Sequence, residues 1–153
     1  MTGGVTGATW RIRLDEACNG ENYKSIAQVV FLSAGQIVGF AANVDSTSDS
    51  GHRDARTAFY AFDGFEGVVS HPEKNERAYC SDDVLGSAWA AVTYSAAFCA
   101  DAVRVFRPTG IGGAQIAPEK FGVEVYSAGC WASVLEVADL DWSVDVSKTF
   151  SLT

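Results

Sequence analysis

The stretch W-R-I-R-L-D, from Trp10 to Asp15, decides the fold class. Apolar and charged side chains alternate along it with a period of two. In an extended chain this alternation places the three apolar side chains on one face and the three charged side chains on the other. The pattern therefore predicts a β-strand with one buried face.

Strand signals recur along the rest of the chain at short intervals. β-branched and aromatic residues or period-two alternation mark the segments 26–32, 36–44, 89–94, 102–107, 121–126, 132–137 and 149–152. Turn-forming residues lie between them, and the polar stretch 45–56 and the segment 65–83 are expected to be loops. No run shows a convincing helical period. The set of about eight or nine short strands favours an all-β antiparallel sandwich or barrel.

Length and charge limit the classes of protein to consider. The 153 residues, 48% of them hydrophobic, suffice for one domain with a buried core, and we expect residues 1–153 to form it with 1–8 as a flexible N-terminal segment. The net charge of -8, with no basic cluster to offset it, disfavours binding to nucleic acid.

Two uncharged stretches, 26–44 and 84–100, are close to the length of a membrane span. Polar residues interrupt both stretches, and neither has basic flanks, so no span is predicted. The first residues contain no apolar run of the kind that signal peptides carry. We therefore expect synthesis in a cytosol without a signal peptide.

The four cysteines are Cys18, Cys80, Cys99 and Cys130, and none forms a C-x-x-C pair. Reduced, mostly buried thiols are favoured over the three disulfide pairings that four cysteines allow. Cys99 fits burial best because it lies in an apolar stretch. For Cys80 and Cys130, which are expected to lie in loops, a disulfide formed after cell lysis is the alternative.

The sequence offers little support for catalysis. Its two histidines, His52 and His71, lie in polar stretches, and no G-x-S-x-G motif presents a nucleophilic serine. Asp63 and Glu66 form a weak carboxylate pair in a chain with 19 acidic residues. The glycine-rich stretch 110–113 lacks the Lys-Ser or Lys-Thr of a phosphate loop. We expect no enzyme and no catalytic residue.

Taken in order, the strand motifs resemble a known family. W-R-I-x-L is followed by N-G-x-x-Y, S-I-A-Q-V-V-F, A-F-D-G, G-S-A-W-x-x-V-T-Y, P-E-K-F-G-V-E-V-Y and a lone Trp131. This order, from Trp10 to Leu152, resembles the discoidin-like (galactose-binding-like) jelly roll, above all the versions in bacteriophage tail fibres, tail tips and other virion appendages. The resemblance implies two antiparallel sheets packed face to face, with ligand loops at one end.

Two loops depart from that family pattern. Tyr79-Cys80 stands where a tryptophan is common, and S-A-G-C-W stands where S-x-D-G-x-x-W is common. In many relatives the aspartate of the F-D-G turn helps to hold a structural calcium ion, so the resemblance implies Asp63 as a metal ligand. The alternative is that Asp63 only caps the tight turn before Gly64. No other cofactor is expected.

A sugar site needs an aromatic platform surrounded by a few planar polar groups. The loop aromatics expected to supply the platform are Tyr60, Tyr79 and Trp131, and the expected donors are Arg53, His71 and Arg77. Each has an alternative. Trp131 can instead cover the sandwich core, and the arginines can instead pair with nearby carboxylates.

Two functional hypotheses follow from the resemblance. The first is a non-catalytic attachment module of a phage or phage-like particle that binds host-surface polysaccharide. The second is a purely structural virion adaptor or decoration protein. Both imply a location in the virion after synthesis in the bacterial cytoplasm and contacts with other virion proteins. A homo-oligomer is expected, above all under the structural hypothesis, whereas a monomer that binds sugar would favour the attachment module.

Overall fold

The computed structural model describes residues 3–18, 22–53, 55–64, 78–82, 86–108 and 116–152. Within these ranges extended structure dominates, and helix is limited to short 3-10 segments such as Ala41–Asn43 and Ala58–Ala61. The strands are β1 (Val5–Ala17), β2 (Ser25–Ile26), β3 (Gln28–Ser33), β4 (Gln36–Ile37), β5 (Val44–Asp49), β6 (Tyr79–Cys80), β7 (Ala88–Ala100), β8 (Ala102–Phe106), β9 (Pro118–Ser127), β10 (Cys130–Val137) and β11 (Ser147–Ser151).

The strands form two main antiparallel sheets. The larger sheet has the order β10-β9-β1-β7-β5 and the smaller has the order β11-β8-β3-β4, while β2 and β6 pair separately. Apolar side chains from both sheets share one core. The chain is therefore an all-β sandwich, as the alternation pattern predicts.

Strand β1 lies at the centre of the larger sheet, between β7 and β9. Trp10, Ile12 and Leu14 are buried in the core, which confirms the prediction from the stretch W-R-I-R-L-D. The intervening arginines lie on the opposite face because successive side chains of a strand alternate. That opposite face is called the outer face below.

Aromatic rings join the two sheets. The ring centres of Trp10 and of Phe31 in β3 are 4.6 Å apart, and those of Phe121 and of Phe150 in β11 are 5.3 Å apart. The indole N–H of Trp10 donates to the Gly7 carbonyl at 3.2 Å, so this polar atom is satisfied inside the core.

Two element boundaries differ from the sequence prediction. The predicted strand over 36–44 is wrong for most of its length, since β4 ends at Ile37 and a 3-10 helix covers Ala41–Asn43. The polar stretch 45–56 was expected to be loop, yet residues 45–49 belong to β5. Among the described strands β5 pairs with β7 alone and so forms an edge of the sheet, where solvent-facing polar side chains are suitable.

Strand β1 also begins earlier than expected. Val5, Thr6 and Gly7 pair with Ala100, Cys99 and Phe98 of β7. The prediction that residues 1–8 are flexible is therefore wrong for residues 5–8. Main-chain pairing to β7 makes them part of a strand, although their side chains show only a weak strand pattern. The register of this pairing shifts between Gly7 and Thr9, so β7 carries extra residues around 94–97.

No disulfide joins the four cysteines, and they are less buried than predicted. Cys80 is buried and Cys18 is half-buried, whereas Cys99 and Cys130 are exposed. The expected burial of Cys99 is wrong because it pairs with Thr6 beyond the register shift, where both residues face solvent. Over the ranges that the structure describes, no helix is long and apolar enough to cross a membrane.

Candidate functional site

The outer face of the larger sheet carries a group of aromatic and charged side chains. Strand register brings them together: Arg11 pairs with Glu124 of β9, Arg13 pairs with Trp89 of β7, and Tyr126 of β9 pairs with Trp131 of β10. Paired residues of neighbouring strands project from the same face of a sheet. We call the group the outer-face cluster: Arg11, Arg13, Asp15, Trp89, Glu124, Tyr126, Trp131 and Glu136.

Arg11 and Glu124 form a two-point ion pair in the cluster. Arg11 donates from Nε to Glu124 Oε1 at 2.9 Å and from Nη2 to Oε2 at 3.2 Å. This two-point geometry fixes the plane of the guanidinium. The Glu124 side chain is only 9% exposed, so water competes little for its carboxylate.

Arg13 connects three carboxylates across the sheet. It donates to Asp15 Oδ1 at 2.8 Å and to Glu136 Oε2 at 2.6 Å, and its Nη1 lies 3.4 Å from Glu124 Oε1. Gly122 makes this reach possible, because a Cβ there would stand 2.7 Å from Arg13 Nη2. Strand β9 thus leaves a gap through which Arg13 contacts Glu136 of β10.

The hydrogen bonds of Arg13 shift the ionisation of its partners. Hydrogen bonds from Arg13 lower the pKa of Glu136 below its usual value. Burial alone raises the pKa of Asp15, but hydrogen bonds from Arg13 and Ser87 outweigh it, so the net pKa is lowered. Hydrogen bonds to Asp15 and Glu136 raise the pKa of Arg13 itself. These side chains therefore stay charged at neutral pH.

Aromatic rings border the charged part of the cluster. The Arg11 guanidinium carbon lies 4.3 Å from the centre of the Trp131 ring and 5.8 Å from that of Trp89. Tyr126 meets Trp131 edge to face, with ring centres 5.3 Å apart. Both tryptophans are half-buried and Tyr126 is exposed, so parts of these rings face solvent.

Aromatic rings beside fixed planar polar groups form the kind of surface that binds sugars. The apolar C–H face of a sugar packs on exposed ring surface, and its hydroxyls exchange hydrogen bonds with carboxylates and guanidinium groups. Because ion pairs already hold the polar groups of the cluster, a ligand would meet them in an ordered arrangement.

Of the predicted ligand residues that the structure describes, Trp131 is the one that belongs to this cluster. It lies within β10 rather than in a loop, and it packs on Arg11 of the outer face rather than covering the core. Tyr79 was expected to be an exposed loop aromatic, and that placement is wrong. Tyr79 lies in β6, fully buried, and its hydroxyl donates to the Gly51 carbonyl at 2.9 Å. Burial also raises its pKa.

Arg53 and Tyr60 lie away from the cluster, between β5 and β6. Arg53 is exposed, its guanidinium lies 4.7 Å from the centre of the Tyr23 ring, and its main-chain N–H donates to Cys80. Tyr60 is half-buried in a 3-10 helix and packs edge to face on Phe59. Arg77 and His71, the other two predicted donors, lie outside the described residues.

Asp63 occupies the turn that the family resemblance marks as a metal site. It is half-buried and precedes Gly64, whose φ of 77° gives the left-handed backbone typical of a tight turn. No group of three or more His, Cys, Asp or Glu residues able to hold a metal ion occurs in the part of the chain that the structure describes.

Sequence reasoning missed Arg11, Trp89 and Glu124 as site residues. The outward orientation of Arg11 and Glu124 was readable from the alternation in β1 and β9. Their proximity was not, since Arg11 and Glu124 are 113 positions apart and only the strand register joins them.

Comparisons of the chain with family models, with curated proteins and with solved structures give no match. The site is therefore interpreted from its own geometry.

Proposed function

We propose that this chain is a non-catalytic carbohydrate-binding module of jelly-roll, galactose-binding type. In this proposal it attaches a phage or phage-like particle to polysaccharide on the host surface. The observation that carries the proposal is the outer-face cluster, in which Trp89, Tyr126 and Trp131 border the ordered pair of Arg11 and Glu124. The resemblance to virion appendage domains supplies the biological setting.

In this proposal the glycan site lies on the outer face of the larger sheet, whereas the sequence predicted it in the loops at one end of the sandwich. Trp131 remains from the predicted ligand residues, and Arg11 takes the donor role that was expected of Arg53, His71 and Arg77. Neutral or basic glycans suit this surface better than acidic ones, because three carboxylates face two arginines in the cluster.

Titration with host capsular polysaccharide and lipopolysaccharide, followed by calorimetry and tryptophan fluorescence, tests the proposal. Trp10 and Trp142 are buried, so a fluorescence change on binding should come from Trp89 and Trp131. Trp131→Ala should weaken binding about tenfold, the factor that corresponds to ~1.4 kcal/mol.

Arg104→Ala is a matched control for this experiment. Arg104 is an exposed arginine that also packs on an aromatic ring, that of Phe106 at 5.1 Å, but it belongs to the smaller sheet. Its replacement should leave the affinity unchanged. Absence of binding across a broad glycan panel, or equal losses in the two variants, would refute the assignment of the outer face.

A second candidate function is a structural virion adaptor without a ligand. Exposed apolar side chains favour it, since they leave hydrophobic surface for assembly: Ile37, Phe40, Phe59, Val144 and Val146. Mass measurement in solution separates the candidates. A closed ring or trimer that lacks affinity for glycans supports the adaptor, whereas a species that binds glycan supports the attachment module.

A further inference from the structure

A groove lies at the open edge of the smaller sheet. Strand β3 pairs with β8 over Gln28–Leu32, but on its other side β4 reaches only Leu32 and Ser33. Among the described residues, neither β4 nor β6 pairs with residues 28–30. A groove of about 170 Å³ adjoins this unpaired part of β3, and we call it the β3 edge groove.

Hydrogen-bond alternation directs the main chain of Val29 toward this groove. Phe31 accepts a hydrogen bond at 3.0 Å from Val38, which follows β4, so the polar groups of Phe31 point away from β8. Residues two apart on an antiparallel strand point their N–H and C=O groups in the same direction. Val29, which is 3% exposed, therefore directs its main-chain donor and acceptor toward the side of β3 that β4 does not reach.

Gln28 shows that the polar groups at this edge are poorly satisfied. Its side chain is buried, with the residue only 2% exposed, and it lines the groove. Its Nε2 donates to the Val29 carbonyl at 3.4 Å, a long hydrogen bond. Its Oε1 has no partner in the part of the chain that the structure describes. Buried carboxamide oxygens are nearly always hydrogen-bonded, so this atom indicates a missing donor.

The walls of the groove are apolar. Ile37, Phe40 and Phe62 all line it. Ile37 and Phe40 are 47% and 52% exposed, whereas Phe62 is buried. Half-exposed side chains of this size, next to unpaired strand edge, are the features with which sheets recruit an extended peptide. Main-chain bonds then supply affinity, and alternate side chains of the peptide fill the apolar space.

We propose that the β3 edge groove binds a short extended segment of another polypeptide, apolar and neutral or basic, which adds to β3 beside Val29. The segment supplies a main-chain acceptor and donor to Val29 and a donor to Gln28 Oε1. A second copy of this chain is a poorer occupant, because each copy carries a net charge of -8 and the copies repel each other. This inference is independent of glycan binding.

Capped hexapeptides of the form Lys-Val-Xaa-Val-Thr-Lys, with each standard amino acid at Xaa, serve as probes. Amide hydrogen exchange and two-dimensional NMR on the full chain follow binding. The expected result is that the best peptides slow exchange of the Val29 amide and shift the signals of residues 28–30 and 37–41. Peptides N-methylated at both valines, which lack the pairing N–H groups, should bind at least about tenfold more weakly.

Phe40→Asp and Phe59→Asp form a matched pair of variants. The two phenylalanines are equally exposed, at 52% and 51%, but only Phe40 lines the groove. Phe40→Asp should abolish peptide binding, and Phe59→Asp should retain it. The proposal is overturned if no peptide of the set binds, if the N-methylated peptides bind equally well, or if both variants behave alike. Dimers that form with rising concentration and disappear in Phe40→Asp would assign the groove to a second copy instead.

Discussion

Glu124 illustrates how burial changes the contribution of a charged side chain to the stability of this protein. It and Glu136 both contact Arg13, but the Glu124 side chain is 9% exposed and the Glu136 side chain is 52% exposed. A charge-assisted hydrogen bond shielded from water contributes more to stability than one that water and salt screen. Two chemically identical groups in one network therefore differ in their energetic roles.

Glu124→Gln should cost about 1.5–3 kcal/mol of unfolding free energy, the usual range for hydrogen bonds to a charged group. Glu136→Gln should cost about 0.2–1 kcal/mol, as for exposed ion pairs. Urea unfolding of both variants measures the difference. Equal costs would mean that the pairing of Arg11 with Glu124 is not shielded as the structure shows.

The network also predicts an acid-sensitive stability. Because the pKa of Glu136 is lowered in the folded chain, the unfolded chain takes up its proton first as the pH falls below about 4.5. Asp15 behaves in the same way from about pH 3.8. The contribution is complete above these values and is lost as the pH falls through the folded pKa of each group.

Unfolding measured between pH 6 and pH 3 should thus show a smaller acid-induced loss for Glu136→Gln than for the unmodified chain. Asp145→Asn is the control, since Asp145 is similarly exposed and pairs with Lys148 outside the network. An identical pH dependence in the chain with and without Glu136→Gln would contradict the coupling to Arg13.

At the scale of elements, the turn of the β3–β4 hairpin contains an alanine in a backbone conformation that is unfavourable for it. Ser33 pairs with Gln36, and the two residues between them, Ala34 and Gly35, have φ angles of 49° and 79°. Two-residue hairpin turns of this kind prefer Asn-Gly, because asparagine tolerates the left-handed conformation better than alanine. Asp101 compensates in part by accepting a hydrogen bond from the Ala34 N–H.

Ala34→Asn should therefore stabilise the chain by about 0.5–1 kcal/mol, and Gly35→Ala should destabilise it by about 1 kcal/mol. Thermal and urea unfolding measure both effects. Gly35→Ala adds no steric clash, since nothing lies within 4 Å of a Cβ built at Gly35. A loss of stability in Ala34→Asn would argue against the left-handed turn.

At the scale of the whole molecule, the fold buries the four cysteines to different extents. Cys99 and Cys130 are exposed at the ends of β7 and β10, Cys18 is half-buried, and Cys80 is buried. Burial raises the pKa of Cys18, which leaves less of the reactive thiolate. Reactivity toward a thiol reagent thus reports on the packing of the two sheets.

A chromogenic disulfide reagent at neutral pH should modify two thiols rapidly in the folded chain and all four in denaturant. Replacing Cys99 and Cys130 by serine should remove the rapid phase, and replacing Cys18 and Cys80 should leave it intact. Rapid reaction of Cys80 in the folded chain would be incompatible with its position in β6.

The alternation within individual strands made much of the fold predictable. Phe121, Val123 and Val125 were assigned to one face of a strand, and all three are buried in the core. Strand ends were less predictable where polar residues occupy a sheet edge, as in β5. The outer-face cluster was only partly predictable, since Trp131 was identified but its neighbours Arg11 and Glu124 were not.

The sequence by itself determined the class of fold and the buried face of the central strand, because a period of two is a local property of neighbouring residues. Only the tertiary structure decided which outward side chains meet, because the register between strands far apart in the chain depends on packing of the whole sandwich. The same packing buried Tyr79, left the edge of β3 open beside Gln28, and brought Arg11, Glu124 and Trp131 onto one surface.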